Sequence, residues 1–301
     1  MKIVQLSGGV GGARLARGLA ALDEVQLTVV VNVGDDAENH GLVICPDLDT
    51  VVYTLAGVEG PLGWGRRDDT FALNEELARF GVDNTFRLGD RDLALKLYRT
   101  REIAGSTPLS VVTRTIAAAF DVRAEVLPVT DDTLRTLVRL DDGWVTFQEY
   151  FVTRGHRDEV RELRFDGASL ATPAPGVVEA IEQADRVVIG PSNPPLSIWP
   201  ILGVAGVDEA VRGHRSVVAV SPLIGGTTVK GPADRVMASL GLPPGNHGVA
   251  LAYDGLIDHL VIDTSDQGDS ELIDRIDVSA TDTLMTDLEH SRDLARTLTS
   301  L

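Results

Sequence analysis

Three kinds of residue are scarce in this chain of 301. It has one cysteine (Cys45), three lysines (Lys2, Lys96 and Lys230), and aromatics at only 5%. A single cysteine excludes an internal disulfide and any zinc site built on several thiolates. No His/Asn arrangement marks Cys45 as a nucleophile, so it reads as a buried structural residue. The lysine deficit leaves the basic charge almost wholly to arginine, and that charge is outnumbered. The 27 Lys and Arg stand against 45 Asp and Glu, for a net charge of −18. Such a chain repels the phosphates of nucleic acid and of anionic membranes, so neither is an expected partner. An anionic substrate must then be held by local arginines, backbone N–H groups or a metal ion. No apolar run reaches membrane-spanning length. The chain opens on a strand without the apolar core of a signal peptide, so a cytoplasmic protein is expected.

What is present is an ordinary globular composition, 44% hydrophobic and 24% charged, long enough for one large α/β domain or a core with an insertion. Lys2 to Ser7 reads as a strand, Gly8 to Gly12 as a tight turn, and Ala13 to Leu22 as a helix with Leu15, Leu19 and Leu22 on its apolar face. Leu27 to Val33, apolar except for Thr28 and Asn32, reads as a strand buried on both faces. This β–Gly loop–α–β unit is the usual opening of a Rossmann-like sheet. A further helix is expected over Thr50 to Leu55, capped by Asp49 or Thr50. From Gly57 the character changes. Helical periodicity runs through 68–79, 90–103 and 107–120, a strand through 122–129, and two extended segments, 144–152 and 160–165, read as a β-ribbon. After Pro173 the α/β alternation returns. The expected class is α/β, a Rossmann-like and mostly parallel sheet flanked by helices. Its core is 1–56 and 173–301, with the strand at 122–129 a candidate member, and 57–172 is an inserted helical and β-ribbon cap.

The chemistry concentrates where the second strand ends. Gly34 breaks it, and Asp35, Asp36, Asp47 and Asp49 follow. The carboxyl ends of parallel strands are where open α/β sheets bind ligands. Clustered carboxylates raise one another's pKa, a cost that Mg²⁺ with a phosphate ligand relieves. Aspartate also suits turns and helix caps, which account for one of the four equally well. Asp35 and Asp49 are the preferred metal ligands and catalytic candidates. Gly8, Gly9, Gly11 and Gly12, between a strand and a helix, let the backbone approach an anion at a helix N-terminus. The loop lacks the Lys-Ser/Thr ending of a Walker A motif and is not GxGxxG. Arg87, or Arg91 beside it, is a candidate for the cleft, unless that turn is only a capped helix start. Ser192 and Asn193, between a strand end and two prolines, form a second rim loop able to present a hydroxyl and an amide. His40 is the one histidine near the cleft, and Trp64 and Trp144 are either core or facing a flat heterocycle.

The segments SGGVGGARL, NVGDDAENHGLVICPDLDT, GWGRRDDTF, RLGDRDLA, VLPVTDD, FQEYFV, IGPSNPPLSI, AVSPLIGG, VKGPAD and DTLMTD occur in this order over nearly the whole chain. Together they resemble the 2-phospho-L-lactate transferase family of deazaflavin coenzyme (coenzyme F-420) biosynthesis. The resemblance implies a reaction. The ribityl hydroxyl of 7,8-didemethyl-8-hydroxy-5-deazariboflavin (Fo) attacks the phosphorus bearing a lactyl or enolpyruvyl group in a guanosine diphosphate conjugate. GMP leaves, and Mg²⁺ is required. By motif position it places Asp49 and Arg87 at Fo and Asp49 close to the metal. Gly8, Gly9, Gly11 and Gly12 with Ser192 and Asn193 fall to the guanosine diphosphate part, and a homodimer is the assembly it suggests. Two rivals share the fold. One is a YvcK-type regulator that binds a nucleotide-sugar without turnover, and the other is an NAD(P)-dependent dehydrogenase, which the missing GxGxxG argues against.

Overall fold

A computed structural model describes residues 1–82 and 86–301. Seven strands make one sheet: β1 (Lys2–Ser7), β2 (Gln26–Val31), β3 (Glu125–Pro128), β4 (Arg186–Ile189), β5 (Val217–Val220), β6 (His259–Asp263) and β7 (Asp277–Thr281). Their spatial order is β3-β2-β1-β4-β5-β6-β7, and every pairing is parallel. Val29 to Val31 and Val187 to Ile189 are wholly buried, as expected of strands covered on both faces. The order reverses between β1 and β4, which is the switch point where a doubly wound sheet opens a crevice.

Right-handed crossovers running in opposite directions from that point place helices on both faces. On one face α1 (Gly9–Ala20) packs between α2 (Pro46–Leu55) and the C-terminal helix Leu288–Ser300. A Cβ at Gly18 would collide with the Ser291 carbonyl, so glycine sets how closely α1 and the C-terminal helix approach. Two starts differ from the sequence expectation. α1 begins at Gly9, so Gly9, Gly11 and Gly12 lie in its first turn and only Gly8 precedes it as the N-cap. α2 begins at Pro46, whose fixed φ suits a first helical position. Asp49 is therefore inside α2, not its cap.

Between β2 and β3 lie α3 (Ala72–Arg79), α4 (Asp90–Ala104) and α5 (Leu109–Ala119). α5 packs on β3 and sends Val112 and Ile116 into the main core, as the crossover helix into that strand. Asp90 and Asp69 cap the two neighbouring helices reciprocally. Asp90 accepts from the Ala72 and Leu73 N–H groups at 3.0 Å. Asp69 accepts from those of Arg91 and Asp92 at 2.8 and 3.1 Å. A three-stranded antiparallel sheet follows β3, with Arg135–Leu140 between Gly143–Thr146 and Glu162–Asp166. The central strand was not foreseen, and Glu149–Thr153 is a single π-type turn where a strand was expected. The small core of this sheet includes Leu196 and Val236, so it is seated on the loops beyond β4 and β5. Among the described residues no helix is long and apolar enough to cross a membrane.

Candidate active site

The glycine loop closes on itself by contacts across the switch point. Ser192, just past β4, accepts from the Gly8 N–H at 3.1 Å and donates to the Gly8 carbonyl at 2.7 Å. A Cβ at Gly8 would stand 2.6 Å from Ser197 Cβ, and one at Gly11 or Gly12 would strike Pro191 O or Ser7 Oγ. Three of the four glycines are thus required by the close approach of the 191–197 loop together with Ser7 and Asp47. Gly9 differs: its φ is +66° and nothing lies within 4 Å of where a Cβ would stand, so its face is open. α1 has no capping side chain of its own at Gly8. Its Gly9 N–H is taken by Asp47 Oδ1 at 2.6 Å. The remaining N–H groups of the first turn have no i−4 partner, which is the usual basis of an anion site.

Asp47 leads from this loop into the carboxylate cluster. Its Oδ2 accepts from Asn32 Nδ2 at 3.0 Å, and the same amide donates to Asp35 Oδ1 at 3.3 Å. Asn32, one of two polar residues in that apolar run and the first residue past β2, is therefore the clip between two acidic side chains. Gln148 of the FQEYFV segment donates to the Asp35 carbonyl at 2.8 Å, tying the antiparallel sheet to the loop. Asp35, Asp36 and Asp47 are all buried. Burial first, then Asp47 and Asp36, holds Asp35 well above the ordinary carboxylate range. Burial pushes Asp36 up to about 7 and Asp47 to about 6, the latter against hydrogen bonds from Asn32 and Gly9. Asp36 accepts from the Cys45 thiol, while its Oδ1 has no partner.

Asp49 is held differently. Its carboxylate faces α4, where Arg99 bonds both oxygens and Lys96 Nζ lies 2.8 Å from Oδ2. Lys96 also pairs with Asp92, which accepts from the Tyr53 hydroxyl at 2.6 Å. Burial alone would raise the Asp49 pKa, but Arg99 and Lys96 outweigh it and hold the group below its usual value. Asp49 is thus an ion-paired carboxylate with both oxygens occupied. Asp35 and Asp49, expected from the sequence as joint metal ligands, have different partners here: Asp35 shares the Asn32 amide with Asp47, and Asp49 is paired with Arg99 and Lys96.

Of the other expected residues, Ser192 and Asn193 stand at the glycine loop, with their polar groups already engaged. Arg87 is exposed, its guanidinium 4.5 Å from the Phe71 ring centroid. Asn193 Oδ1 accepts from the Leu196 N–H at 3.1 Å, capping the turn after β4. The Ser192 hydroxyl is engaged twice by Gly8, so it shapes the loop instead of offering a free hydroxyl. His40 lies in the β-turn joining Ala37–Asn39 to Leu42–Ile44, with φ +52°. Sequence reasoning missed Lys96 and Arg99, although Asp92, Lys96 and Arg99 share one face of α4 at i, i+4 and i+7.

Among the described residues no group of three or more His, Cys, Asp or Glu side chains is placed to hold a metal unaided. Mg²⁺ needs only one or two carboxylates when substrate phosphates complete its shell. Asp35 and Asp47, buried, mutually repelling and in no salt bridge among the described residues, fit that demand, with Arg135 only partly offsetting the charge of Asp35.

Residues 3–300 match the family model of 2-phospho-L-lactate transferase CofD. A phosphoenolpyruvate transferase of Kitasatospora aureofaciens is 41% identical over 313 residues, covering 100% of this chain and 98% of its own. A 2-phospho-L-lactate transferase of Methanopyrus kandleri is 41% identical over 299 residues, covering 98% and 96%. A Bacillus halodurans protein of the UPF0052 family superposes with a TM-score of 0.64 at 19% identity, covering 99% of this chain and 98% of that one. That likeness concerns the fold alone.

Proposed function

The chain belongs to the 2-phospho-L-lactate transferase CofD family, and from that premise we propose that it transfers a phospholactyl or phosphoenolpyruvyl group to Fo. The donor is a guanosine diphosphate conjugate, the product is a precursor of coenzyme F-420, and GMP is released. The ribityl oxygen forms the new bond to phosphorus, the bond from phosphorus to the GMP oxygen breaks, and the hydroxyl proton passes to a carboxylate or to solvent. The observation that carries the reading is the juxtaposition at the switch point. The first-turn amides of Val10 and Gly11, which no side chain caps, lie next to Gly9, whose own N–H is held by Asp47 of the buried carboxylate pair Asp35 and Asp47.

Phosphoryl transfer asks a protein for positioning and for charge neutralisation more than for covalent chemistry. The first turn of α1 supplies N–H groups for the diphosphate, and Ser192 keeps the loop in shape for it. Mg²⁺, held by Asp35 with Asp47, would offset the charge of the diphosphate oxygens. The expected second ligand, Asp49, would first have to leave Arg99 and Lys96. Asp49 instead serves as the fixed anion that anchors α2 to α4, and through it the wall on which Fo is received. Arg87 on the exposed turn before α4 offers Fo a cation over the Phe71 face.

The test is a mass-spectrometric assay with Fo, Mg²⁺ and a mixture of lactyl- and enolpyruvyl-diphosphoguanosine. The expected result is one product with stoichiometric GMP, abolished by EDTA, and its mass identifies the acid. A folded protein that binds the conjugate but yields no product with either donor overturns the transferase reading in favour of a non-catalytic binder.

A further inference from the structure

Across α1 from the carboxylates the structure holds the opposite charge. Arg14, on α1, donates through Nη1 to the Met285 carbonyl at 2.8 Å, on the side of the C-terminal helix. Lys230 follows the short hairpin Leu223–Ile224/Thr227–Thr228 beyond β5. Its ammonium donates to the Leu62 carbonyl and lies 5.3 Å from the centroid of the Trp64 ring. Neither cation has a carboxylate partner among the described residues. Leu62 and Trp64, 59% and 53% exposed, form the tip of a turn closed by the bridge between Glu59 and Arg66. That tip rests on the glycine loop. A Cβ at Gly63 would stand 2.6 Å from Val10 Cγ1 and 3.4 Å from Lys230 Nζ. Val10 and Arg14 lie one turn apart on the same face of α1. Burial and the nearby Arg14 both depress the Lys230 pKa, in keeping with two like charges facing one space.

We infer that Lys230 and Arg14, roofed by Trp64, form an anion subsite for the phosphate that departs with the nucleotide. The identity of the ligand rests on the transferase reading, whereas its charge follows from the site. The amide face at the start of α1 has carboxylates on one flank and two unpaired cations on the other. A diphosphate laid across it sets the phosphorus under attack at the carboxylate flank, where a divalent cation belongs. The next phosphate then falls toward Lys230 and Arg14. Negative charge grows on that leaving phosphate as its bond breaks, and fixed cations there stabilise it without reorganisation. In a chain of net charge −18 these two cations hydrogen-bond to carbonyls alone and meet no carboxylate among the described residues, a deficit that an anion would fill.

The experiment compares the wild type with Lys230→Gln, Lys230→Arg and Trp64→Phe in EDTA. Each is titrated with GDP, GMP and inorganic pyrophosphate by calorimetry and tryptophan emission, with Fo binding as the control. Lys230→Gln is expected to weaken GDP binding about tenfold, the scale of one charge-assisted contact at a partly exposed site. It should also flatten the salt dependence and leave Fo affinity unchanged. Lys230→Arg should retain most of the affinity, and Trp64→Phe should abolish the emission change. Wild-type GDP affinity in a Lys230→Gln protein of native circular dichroism overturns the subsite. Pyrophosphate binding that depends on Lys230, with no binding of GDP or GMP, supports the anion subsite and sinks the guanosine donor instead.

Discussion

Asp49→Asn removes the anion shared by Arg99 and Lys96, which are 1% and 2% exposed. Lys96 keeps Asp92, but Arg99 loses its salt-bridged carboxylate, retaining only the more distant Asp36, and its Nε already lacks a partner. Breaking one side of a buried ion pair costs about 3–5 kcal/mol, because the remaining charge stays desolvated. At about 2 °C per kcal/mol for a chain of this size, Tm should fall by roughly 6–10 °C. Asp35→Asn is expected to act with the opposite sign. Burial and repulsion from Asp47 and Asp36 raise the Asp35 pKa. A carboxyl whose folded pKa lies above its unfolded one costs stability once pH exceeds the unfolded value, and the cost grows as pH rises to the folded one. At about pH 8 without metal the asparagine should leave Tm unchanged or raise it by about 1–3 °C, and near pH 4 the gain should vanish. Differential scanning fluorimetry of the two variants in EDTA measures both signs. Both should lose turnover, but only Asp35→Asn should also lose the stabilisation given by added Mg²⁺. An Asp49→Asn protein melting within about 1 °C of wild type, or an Asp35→Asn protein falling as far as Asp49→Asn, refutes the division of labour drawn here.

Two further outcomes are expected. Burial puts Asp36 at about 7 and Asp47 at about 6, so protons compete with a cation for this cluster. Mg²⁺ should raise Tm at about pH 8 and lose that effect near pH 5; an equal shift at both would show that the ion binds elsewhere. Arg87→Ala should weaken Fo binding by roughly tenfold while guanosine-nucleotide affinity holds, since the side chain is exposed and meets the ligand through charge and ring contact. Equal loss of both, measured by Fo fluorescence and nucleotide calorimetry, counts against its place at the acceptor.

The sheet was legible because its strands are β-branched runs such as Val29–Val31, set between helices with leucines at helical spacing such as Leu15 and Leu19. The glycine loop was legible from its place between strand and helix. The environment of Asp49 was not, because an aspartate before an apolar run reads equally well as a cap. Pro46 was the overlooked signal, since a proline at a first helical position moves the start of α2 back and puts Asp49 inside it. Lys96 and Arg99 were hidden for another reason: oppositely charged residues at i, i+4 and i+7 usually mark a solvated helix face. Only burial against α2 shows that this face is internal. The reciprocal caps of Asp69 and Asp90 lie roughly twenty residues apart in sequence and leave no local pattern.

The glycines carry a related lesson about motif reading. Gly8, Gly11 and Gly12 are needed because the 191–197 loop, Ser7 and Asp47 crowd them, so their pattern records protein–protein approach as much as room for a ligand. Gly9 alone faces open space, at a positive φ that favours glycine. An anion there would, on the proposed reading, be met by the Val10 and Gly11 amides, by a cation held at Asp35 and Asp47 on one flank, and by Lys230 and Arg14 on the other. On the proposed reading this local arrangement is why an acidic chain can take an anionic donor. Net charge acts at a distance and is screened beyond about 10 Å at moderate salt, whereas the diphosphate meets only the few groups around the first turn of α1.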